Sequence, residues 1–265
     1  MAATDGLPEQ NREDIYRHMW NFFHRLGSPV YFYRWAGKAI PWCWGVTALL
    51  LLSGLYLGLV VAPTDYQQGD SYRIIFIHVP SAWMSMFIYV VIAVCGFITL
   101  VWRMKMADVM ARASAPIGAM FTFTALVTGS LWGKPMWGTW WIWDARLTSE
   151  LVLLFLYLGY MALLSAIEDR KMAARAGAIL ALVGVINIPI IHYSVDWWNT
   201  LHQGSTVTKF SKPSIDISML IPLLLMALAF QLYYFSAVMM RARSTLLIQE
   251  RRAHWVRELP EVNAP

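Results

Sequence analysis

Charged residues and cysteine are both scarce in this sequence of 265 residues. Only 14% of the residues are charged, whereas 58% are hydrophobic, and the mean hydropathy is +0.49. Soluble domains have about 25% charged residues, so this composition excludes a soluble globular fold and indicates a polytopic membrane protein. The two cysteines, Cys43 and Cys95, both fall in predicted spans. A disulfide framework and a paired-cysteine redox or zinc site are therefore excluded.

Several motifs of catalysis and metal binding are also missing. The sequence has no CxxCH, so the chain is not itself a c-type cytochrome. It has no Walker-type glycine-rich loop, which excludes nucleotide hydrolysis by that route. No HxH or HExxH arrangement occurs, which disfavours a zinc or copper site. The centres of the predicted spans are almost free of charge, and this disfavours a proton pump.

Long apolar runs dominate what is present. Six runs approach the length of about twenty residues that crosses a bilayer, so we predict an all-α membrane protein with six transmembrane helices. The predicted spans cover residues 41–61, 79–102, 115–131, 149–167, 176–192 and 218–239. They form one membrane domain, residues 41–240.

The two ends of the chain are polar. Residues 1–40 are a predicted cytoplasmic lead-in, too long and too mixed in charge for a cleavable signal peptide. Within them, apolar residues recur at helical spacing over residues 15–26, which fits a short helix on the membrane surface or a frayed tail equally well. Residues 241–265 are a predicted basic cytoplasmic tail.

The basic residues predict the orientation of the chain. Sixteen of the 21 Lys and Arg residues fall in the tails and in the loops on one side of the predicted spans, and five fall on the other side. By the positive-inside rule, both termini are cytoplasmic and the loop between helices 3 and 4 faces the periplasm. The net charge of +5 is spread over short loops, not gathered in one stripe, so we expect no nucleic-acid partner.

Tryptophan is concentrated in that outer loop, predicted over residues 132–148. Five of the fourteen tryptophans lie within twelve residues, followed at once by Asp144 and Arg146. The five are Trp132, Trp137, Trp140, Trp141 and Trp143. An interfacial aromatic belt and a platform for a large flat ligand both explain this density. Composition alone favours the belt.

Helix-breaking residues interrupt the same loop. Two glycines and a proline within residues 133–138 are expected to prevent one long regular helix. Trp137, Trp140 and Trp141 nevertheless have the spacing of one face of a short helix, which would present a sheet of indoles. Glu150 is expected in the first turn of helix 4, where a carboxylate interacts favourably with the helix dipole. We assign it no further role.

Two histidines are predicted on the same outer side as the tryptophans. His78 lies near the outer end of helix 2, and His202 lies between helices 5 and 6. Histidine is an axial ligand of haem iron, and indole faces can stack on a porphyrin. Arg73 or Arg146 could pair with the propionates, with Lys134 a weaker candidate. The aromatic platform and the two imidazoles together therefore favour a haem site.

The segment WGKPMWGTWWIWDARLTSE resembles the WWD signature of the haem-handling proteins of cytochrome c maturation. The flanking segments RIIFIHVPSAW and HYSVDWWNTLHQGST are similar to the CcmC type, and the resemblance covers residues 40–240. It implies that His78 and His202 are the axial ligands of haem b, bound as cargo. His192 competes for the second position, but the motif favours His202. The signature positions that the resemblance carries over are Trp132, Trp137, Trp140, Trp141, Trp143 and Asp144.

The resemblance further implies a haem-delivery factor and not an enzyme. Such a protein holds haem at the periplasmic face of the bacterial inner membrane and loads it onto the haem chaperone CcmE. The ABC transporter subunits CcmA and CcmB and the small membrane protein CcmD are the other implied partners. Two alternatives remain open, a haem permease and a haem-b electron-transfer subunit. No inverted repeat supports the first, and the second normally places its ligands inside the spans.

Overall fold

In a computed structural model, the chain folds into a bundle of α-helices. The structure describes residues 27–204, 207 and 212–259, so the surface helix considered for residues 15–26 lies outside the described residues. No β-strand occurs in the described part of the chain. The helices are α1 (Pro29–Tyr56), α2 (Ile75–Trp102), α3 (Lys105–Trp137), α4 (Ala145–Ala166), α5 (Arg170–Gly184), α6 (Asn187–Trp197), α7 (Ile217–Gln249) and α8 (His254–Arg257).

Six helical segments of the described chain are long and apolar enough to cross a membrane, which confirms the predicted fold class. α5 and α6 together form the fifth segment. Several segments extend beyond the predicted runs: the first begins at residue 29 instead of 41, and the third ends at 137 instead of 131. A helix of 33 residues is about 50 Å long, whereas the hydrocarbon core is about 30 Å thick. Its ends therefore project beyond the apolar run that hydropathy detects.

The centre of the bundle is formed by α2, α3 and α4, which meet around buried tyrosines. The Tyr157 hydroxyl of α4 donates to the Ser85 carbonyl of α2 over 2.7 Å. Gly118 of α3 lies directly against the Tyr157 ring, where a Cβ atom would collide with it. Small residues allow this close approach of membrane helices. The three helices that carry most of the site described below are thus fixed against one another.

α3 is longer than expected from the glycines and the proline in the tryptophan-rich loop. It continues through Gly133 and Pro135 and ends at Gly138, whose φ of +78° lies in the left-handed region that glycine adopts readily. Pro135 removes one backbone hydrogen bond of the helix. Because the helix ends two residues later, few other backbone hydrogen bonds are affected. The predicted short helix through Trp140 is wrong, because residues 139–144 are irregular.

The fifth membrane segment is interrupted between residues 184 and 187. α5 ends at Gly184 and α6 begins at Asn187. The Asn187 side chain donates to the Ser149 carbonyl of α4 over 2.8 Å, which ties the break to the neighbouring helix. α6 then leads the chain to the loop that contains His202.

Candidate functional site

A cavity of about 100 Å³ lies at the end of the bundle where α2, α3 and α4 meet the loop after α6. Its polar and aromatic lining residues are Gln68, His78, Trp132, Trp137, Trp141, Arg146, Glu150, His202 and Gln203. An adjoining cavity of about 70 Å³ shares His78, Trp132, Arg146 and His202 with it. Pockets for small molecules usually enclose about 300–1,000 Å³. These two spaces can thus surround the centre of a large flat ligand but not its whole periphery.

His78 is held from the neighbouring helix. Its Nδ1 atom lies 3.0 Å from the Ala125 carbonyl oxygen and 3.1 Å from the Thr128 hydroxyl of α3. A carbonyl oxygen only accepts, so the Nδ1 atom of His78 carries the proton and donates. The Nε2 lone pair is then left free. In metal sites, a hydrogen bond from the ring nitrogen that does not bind the metal usually orients the imidazole, as the Nδ1–H bond does here.

Gly129 of α3 makes room for that ring. A Cβ atom at this position would lie 3.0 Å from the His78 Cε1 atom, closer than such atoms normally come. The glycine therefore lets α3 approach the imidazole closely enough for its backbone to accept the Nδ1–H bond.

His202 is held by its own loop. Its Nδ1 atom lies 2.8 Å from the Gln203 carbonyl oxygen, so the same tautomer follows and Nε2 is again free. The His202 backbone N–H donates to the Thr200 hydroxyl over 3.0 Å. The Thr200 hydroxyl in turn donates to the Asp144 carboxylate. Asp144 also accepts from the Leu147 backbone N–H over 2.8 Å and caps α4.

Asp144 therefore has two structural roles. It starts α4, and it fixes the loop of His202 to that helix through Thr200. The sequence predicted Asp144 at the site by its place in the motif but did not predict this connection, because Thr200 lies 56 positions further along the chain.

The charge state of His202 suits a metal ligand. Burial lowers the pKa of His202 from its usual value, and the nearby Arg146 cation lowers it further. The imidazole is consequently neutral at neutral pH. Neutral imidazole is the form that binds metal ions.

The centroids of the two imidazoles are separated by a distance that suits one shared metal ion. Their ring centroids are 6.4 Å apart, with 37° between the ring planes. A metal–imidazole bond is about 2 Å long, so two imidazoles on opposite sides of one metal have centroids about 6 Å apart. No group of three or more His, Cys, Asp or Glu residues that could hold a metal occurs among the described residues. The other coordination positions would have to come from the ligand, as they do in haem.

Three of the predicted tryptophans line the cavity. The Trp132 ring meets the His78 ring edge-on at 5.8 Å, and the Trp132 indole N–H donates to the Gln68 side chain over 3.0 Å. The Trp137 ring lies 6.4 Å from the His202 ring. Trp141 Nε1 is buried and has no hydrogen-bond partner within the described residues. A buried donor without a partner is rare, and a bound carboxylate would satisfy this one.

The other two tryptophans of the motif lie outside the cavity lining. Trp140 is 54% exposed and Trp143 is 74% exposed. The Lys134 ammonium lies 5.9 Å from the Trp140 ring and donates to the Gly138 carbonyl, so it also points away from the cavity. The Trp140 and Trp143 rings remain available to lipid or to a partner.

The structure brings Arg146 to the site but places Arg73 elsewhere. Arg146 lines both cavities and donates to the Ile191 carbonyl of α6 over 2.7 Å. Arg73 lines neither cavity. Its guanidinium donates to the carbonyl oxygens of Gly58 and Ala62 over 2.6 and 2.9 Å, where α1 ends in a π-helical turn over Leu57–Val61. Arg73 thus satisfies carbonyl groups that the end of this helix leaves free.

Glu150 is the site residue that sequence reasoning missed. Because α4 already begins at Ala145, Glu150 lies in its second turn and not in the first, so the helix-dipole interpretation is wrong. Its side chain is buried, lines the larger cavity and accepts from the Ser85 hydroxyl over 2.7 Å. The signal was a carboxylate inside an apolar span, since ionisable residues there usually have functional roles.

His192 does not reach the cavity. Its ring packs perpendicular to Tyr193 at 4.7 Å, one residue away on α6, and it lines neither of the two spaces. Of the two competing histidines, the structure therefore places His202 opposite His78.

Fold and site together define a multi-pass membrane protein with a histidine pair in a tryptophan-lined cavity at one end of the helical bundle. A sequence model of the family described as Heme exporter protein C matches residues 22–257. Heme exporter protein C of Escherichia coli (strain K12) is 56% identical over 241 residues, which are 91% of this chain and 97% of the relative. The Haemophilus influenzae protein of that name is 49% identical over 243 residues, or 92% and 99% of the two chains.

A more distant relative is the putative cytochrome c biosynthesis ccmC-like mitochondrial protein of Arabidopsis thaliana, 46% identical over 180 residues and 68% of each chain. The chain belongs to the heme exporter protein C family. This confirms the predicted resemblance, and it supports a role in haem handling for cytochrome c maturation within the Ccm system.

Proposed function

We propose that this protein holds haem b at the periplasmic face of the bacterial inner membrane and delivers it to the haem chaperone CcmE. The observation that carries this proposal is the His78–His202 pair, with ring centroids 6.4 Å apart. Each ring has its Nδ1 atom against a backbone carbonyl, so each Nε2 atom is available as an axial ligand of the same iron.

The surrounding side chains supply binding and orientation, while the porphyrin supplies the reactivity. The indoles of Trp137 and Trp141 offer apolar surface beside the iron position. Arg146 and the unpaired indole N–H of Trp141 are the donors that propionates would meet. The proposed activity is delivery and not enzymatic catalysis, and any covalent step is assigned to the partner chaperone.

The small volume of the cavity favours transfer to a partner. The enclosed spaces surround the histidines, so part of the haem periphery must lie outside them. The exposed rings of Trp140 and Trp143 flank that region of the chain. CcmE would approach the haem from here, while CcmA, CcmB and CcmD would contact the protein elsewhere.

The proposed orientation of the protein in the membrane follows from the distribution of its Arg and Lys residues. The turn between α2 and α3 and the turn between α4 and α5 are rich in Arg and Lys and lie at the other end of the bundle from the histidines. The positive-inside rule assigns that end and both termini to the cytoplasm and the histidine end to the periplasm.

The position of the ligands separates this proposal from its alternatives. His78 is the fourth residue of α2, and His202 lies in a loop, so both are near the end of the bundle. A haem-b electron-transfer subunit would hold its ligands within the spans, and a permease would hold its substrate near the bilayer midplane.

Co-purification with the periplasmic chaperone tests the proposal. The full-length wild-type chain should show haem absorption and associate with CcmE only when haem is present. His78→Ala and His202→Ala should have altered haem spectra and a lower haem content, and should associate less with CcmE, whereas the matched variant His192→Ala should match the wild type. A wild-type chain without haem absorption would refute the proposal, as would spectra unchanged in the first two variants. Accumulation of haem in sealed vesicles that contain this chain alone would support the permease instead.

A further inference from the structure

A large cleft lies at the end of the bundle opposite the histidines. It encloses about 850 Å³ between the α2–α3 turn and the α4–α5 turn. This volume is within the range of about 300–1,000 Å³ that is typical of small-molecule sites. The cationic residues of its lining are Arg103, Lys105, Arg170, Lys171 and Arg175.

One acidic residue and one cation of this cleft are already in ion pairs. Asp108 is paired with Arg112 over 2.9 Å, and Asp169 accepts from the Met172 backbone N–H as the cap of α5. Of the cations, Lys105 is paired with Glu250 over 2.5 Å.

The remaining four cations are exposed and have no hydrogen bond or ion pair to their guanidinium or ammonium groups in the part of the chain that the structure describes. They are Arg103, Arg170, Lys171 and Arg175. Within the described residues, Glu168 and Asp169 are the acidic lining residues without a cationic partner, so four cations face two carboxylates. The cleft therefore carries an excess of positive charge, which favours an anionic ligand.

Arg103 is also held in an unusual backbone conformation. Its φ is +55°, and it is the one non-glycine residue with a positive φ among the described residues. Its backbone N–H closes the end of α2 by donating to the Thr99 carbonyl over 3.1 Å. Glycine adopts this conformation with less strain. The arginine at this position supplies the cleft with a charge that glycine would lack.

Exposed apolar surface continues from the cleft along the two helices that border it. Val94, Phe97 and Val101 are exposed on α2, and Ile179 and Val183 are exposed on α5. Trp102 is 61% exposed directly beside Arg103. Tryptophan favours the boundary between lipid and water, so Trp102 indicates that the cleft lies at the level of the head groups.

α2 and α5 pack tightly where this apolar surface runs. A Cβ atom at Gly96 would lie 3.1 Å from the Ala178 Cα atom, so the two helices touch through small residues. We call the exposed apolar side chains of these two contacting helices the apolar seam. The ligand that matches a cationic cleft continuous with such a seam has an anionic head and apolar tails.

We propose that the cleft binds the head group of an anionic phospholipid, with its acyl chains along α2 and α5. Arg and Lys side chains hold phosphate oxygens through charge-assisted hydrogen bonds, and basic pockets between membrane helices bind anionic lipids in this way. A soluble phosphate compound would leave the apolar seam unused. This site is independent of the haem site and of the function proposed above.

The amount of each lipid that the protein retains measures the preference of the cleft for an anionic head group. The full-length chain is exchanged into mixed micelles of equal phosphatidylglycerol and phosphatidylcholine, and the lipid that stays bound after gel filtration is quantified by mass spectrometry. We expect phosphatidylglycerol to be enriched at least about fivefold over phosphatidylcholine on the wild-type chain. The Arg170→Gln/Arg175→Gln variant should retain both lipids equally.

The matched control is Arg34→Gln/Lys38→Gln, which removes the same charge from exposed positions of α1 outside the cleft. It should retain the wild-type enrichment. Arg103→Gly provides a second cleft variant that folds without strain, because glycine accepts the positive φ at this position. It should lower the enrichment part of the way.

Three outcomes would overturn the proposal. The first is equal enrichment on the wild-type chain and on Arg170→Gln/Arg175→Gln. The second is displacement of phosphatidylglycerol by an equal concentration of soluble glycerol phosphate, which would make the cleft a site for soluble anions. The third is no enrichment on the wild-type chain together with saturable binding of a poly-glutamate peptide that the double variant loses. That result would assign the cleft to an acidic protein segment.

Discussion

The two histidines of the cavity are held in different ways. His78 is part of α2, and its Nδ1 atom is held by α3 through Ala125 and Thr128. His202 lies in a loop, and its contacts are to its immediate neighbours Thr200 and Gln203. The first imidazole is therefore positioned by the packed bundle, whereas the second depends on one short segment.

This difference suits a protein that must take up cargo and give it away. The enclosed space beside the histidines is about 100 Å³, so a bound porphyrin would extend beyond it. The hydrogen bonds of His202 are made within its own loop, which Thr200 connects to Asp144 at the start of α4. We therefore expect His78 to contribute more to haem affinity than His202.

The largest expected effect separates the two ligands. His78→Ala should weaken haem binding by about 100-fold or more, because a preorganised ligand is lost. His202→Ala should weaken it by about tenfold, because ordering of the loop offsets part of what this ligand contributes. Haem titration followed by absorption measures both affinities, with His192→Ala as the control. Equal losses in the two variants would contradict the distinction between His78, which packed helices hold, and His202, which its own loop holds.

The connection from Asp144 to His202 should have the next largest effect. Thr200→Val removes the hydroxyl that accepts from His202 and donates to Asp144, while it keeps the size of the side chain. We expect about tenfold weaker haem binding, as is common when a partner that orients a ligand is removed. Thr200→Ser keeps the hydroxyl and should restore wild-type affinity. If Thr200→Val binds haem normally, Thr200 does not position His202.

The two arginines should respond in opposite ways. Arg146→Gln removes a cation from both cavities, and we expect about a tenfold loss of haem affinity, the usual order of a charged hydrogen bond. Arg73→Gln leaves the Gly58 and Ala62 carbonyls without their donor, so it should lower the midpoint of thermal unfolding with little effect on affinity. Both properties are measured on both variants. A loss of affinity in Arg73→Gln without a loss of stability would instead place Arg73 on a propionate.

The smallest effect is the pH dependence that His202 adds to stability. Burial and the Arg146 cation lower its pKa in the folded chain, whereas an unfolded histidine keeps a pKa of about 6.5. Below that pH the unfolded chain binds the extra proton, so stability is present above about pH 6.5 and declines as the pH falls. Thermal unfolding of the haem-free chain at pH 7.5 and pH 5.5 should show this decline, and His202→Gln should reduce it. An equal decline in the variant would show that His202 is not the group responsible.

Much of the fold could be predicted because its signals are local. Each apolar run predicted one membrane-spanning segment, and the structure has six. The resemblance implies His78 and His202 as a pair, and their ring centroids lie 6.4 Å apart in the structure. Such features depend on a few neighbouring residues or on one long motif.

The remaining features depend on contacts between distant parts of the chain. Arg73 was assigned to a propionate because its type suits one, but a π-helical turn at the end of α1 offers it carbonyl oxygens that no sequence pattern reveals. Glu150 was assigned to a helix terminus because hydropathy placed the start of α4 too late, whereas Asp144 starts that helix at Ala145. An apolar run marks the part of a helix inside the hydrocarbon core and not the part that extends beyond it.

The central claim, that one haem iron is held between His78 and His202, is tested most directly by electron paramagnetic resonance of the ferric haem complex of the full-length chain. Two imidazole ligands predict a low-spin signal in the wild-type protein and in His192→Ala, and a high-spin signal in His202→Ala. A high-spin wild-type complex, or a His202→Ala complex that remains low-spin, would contradict the claim.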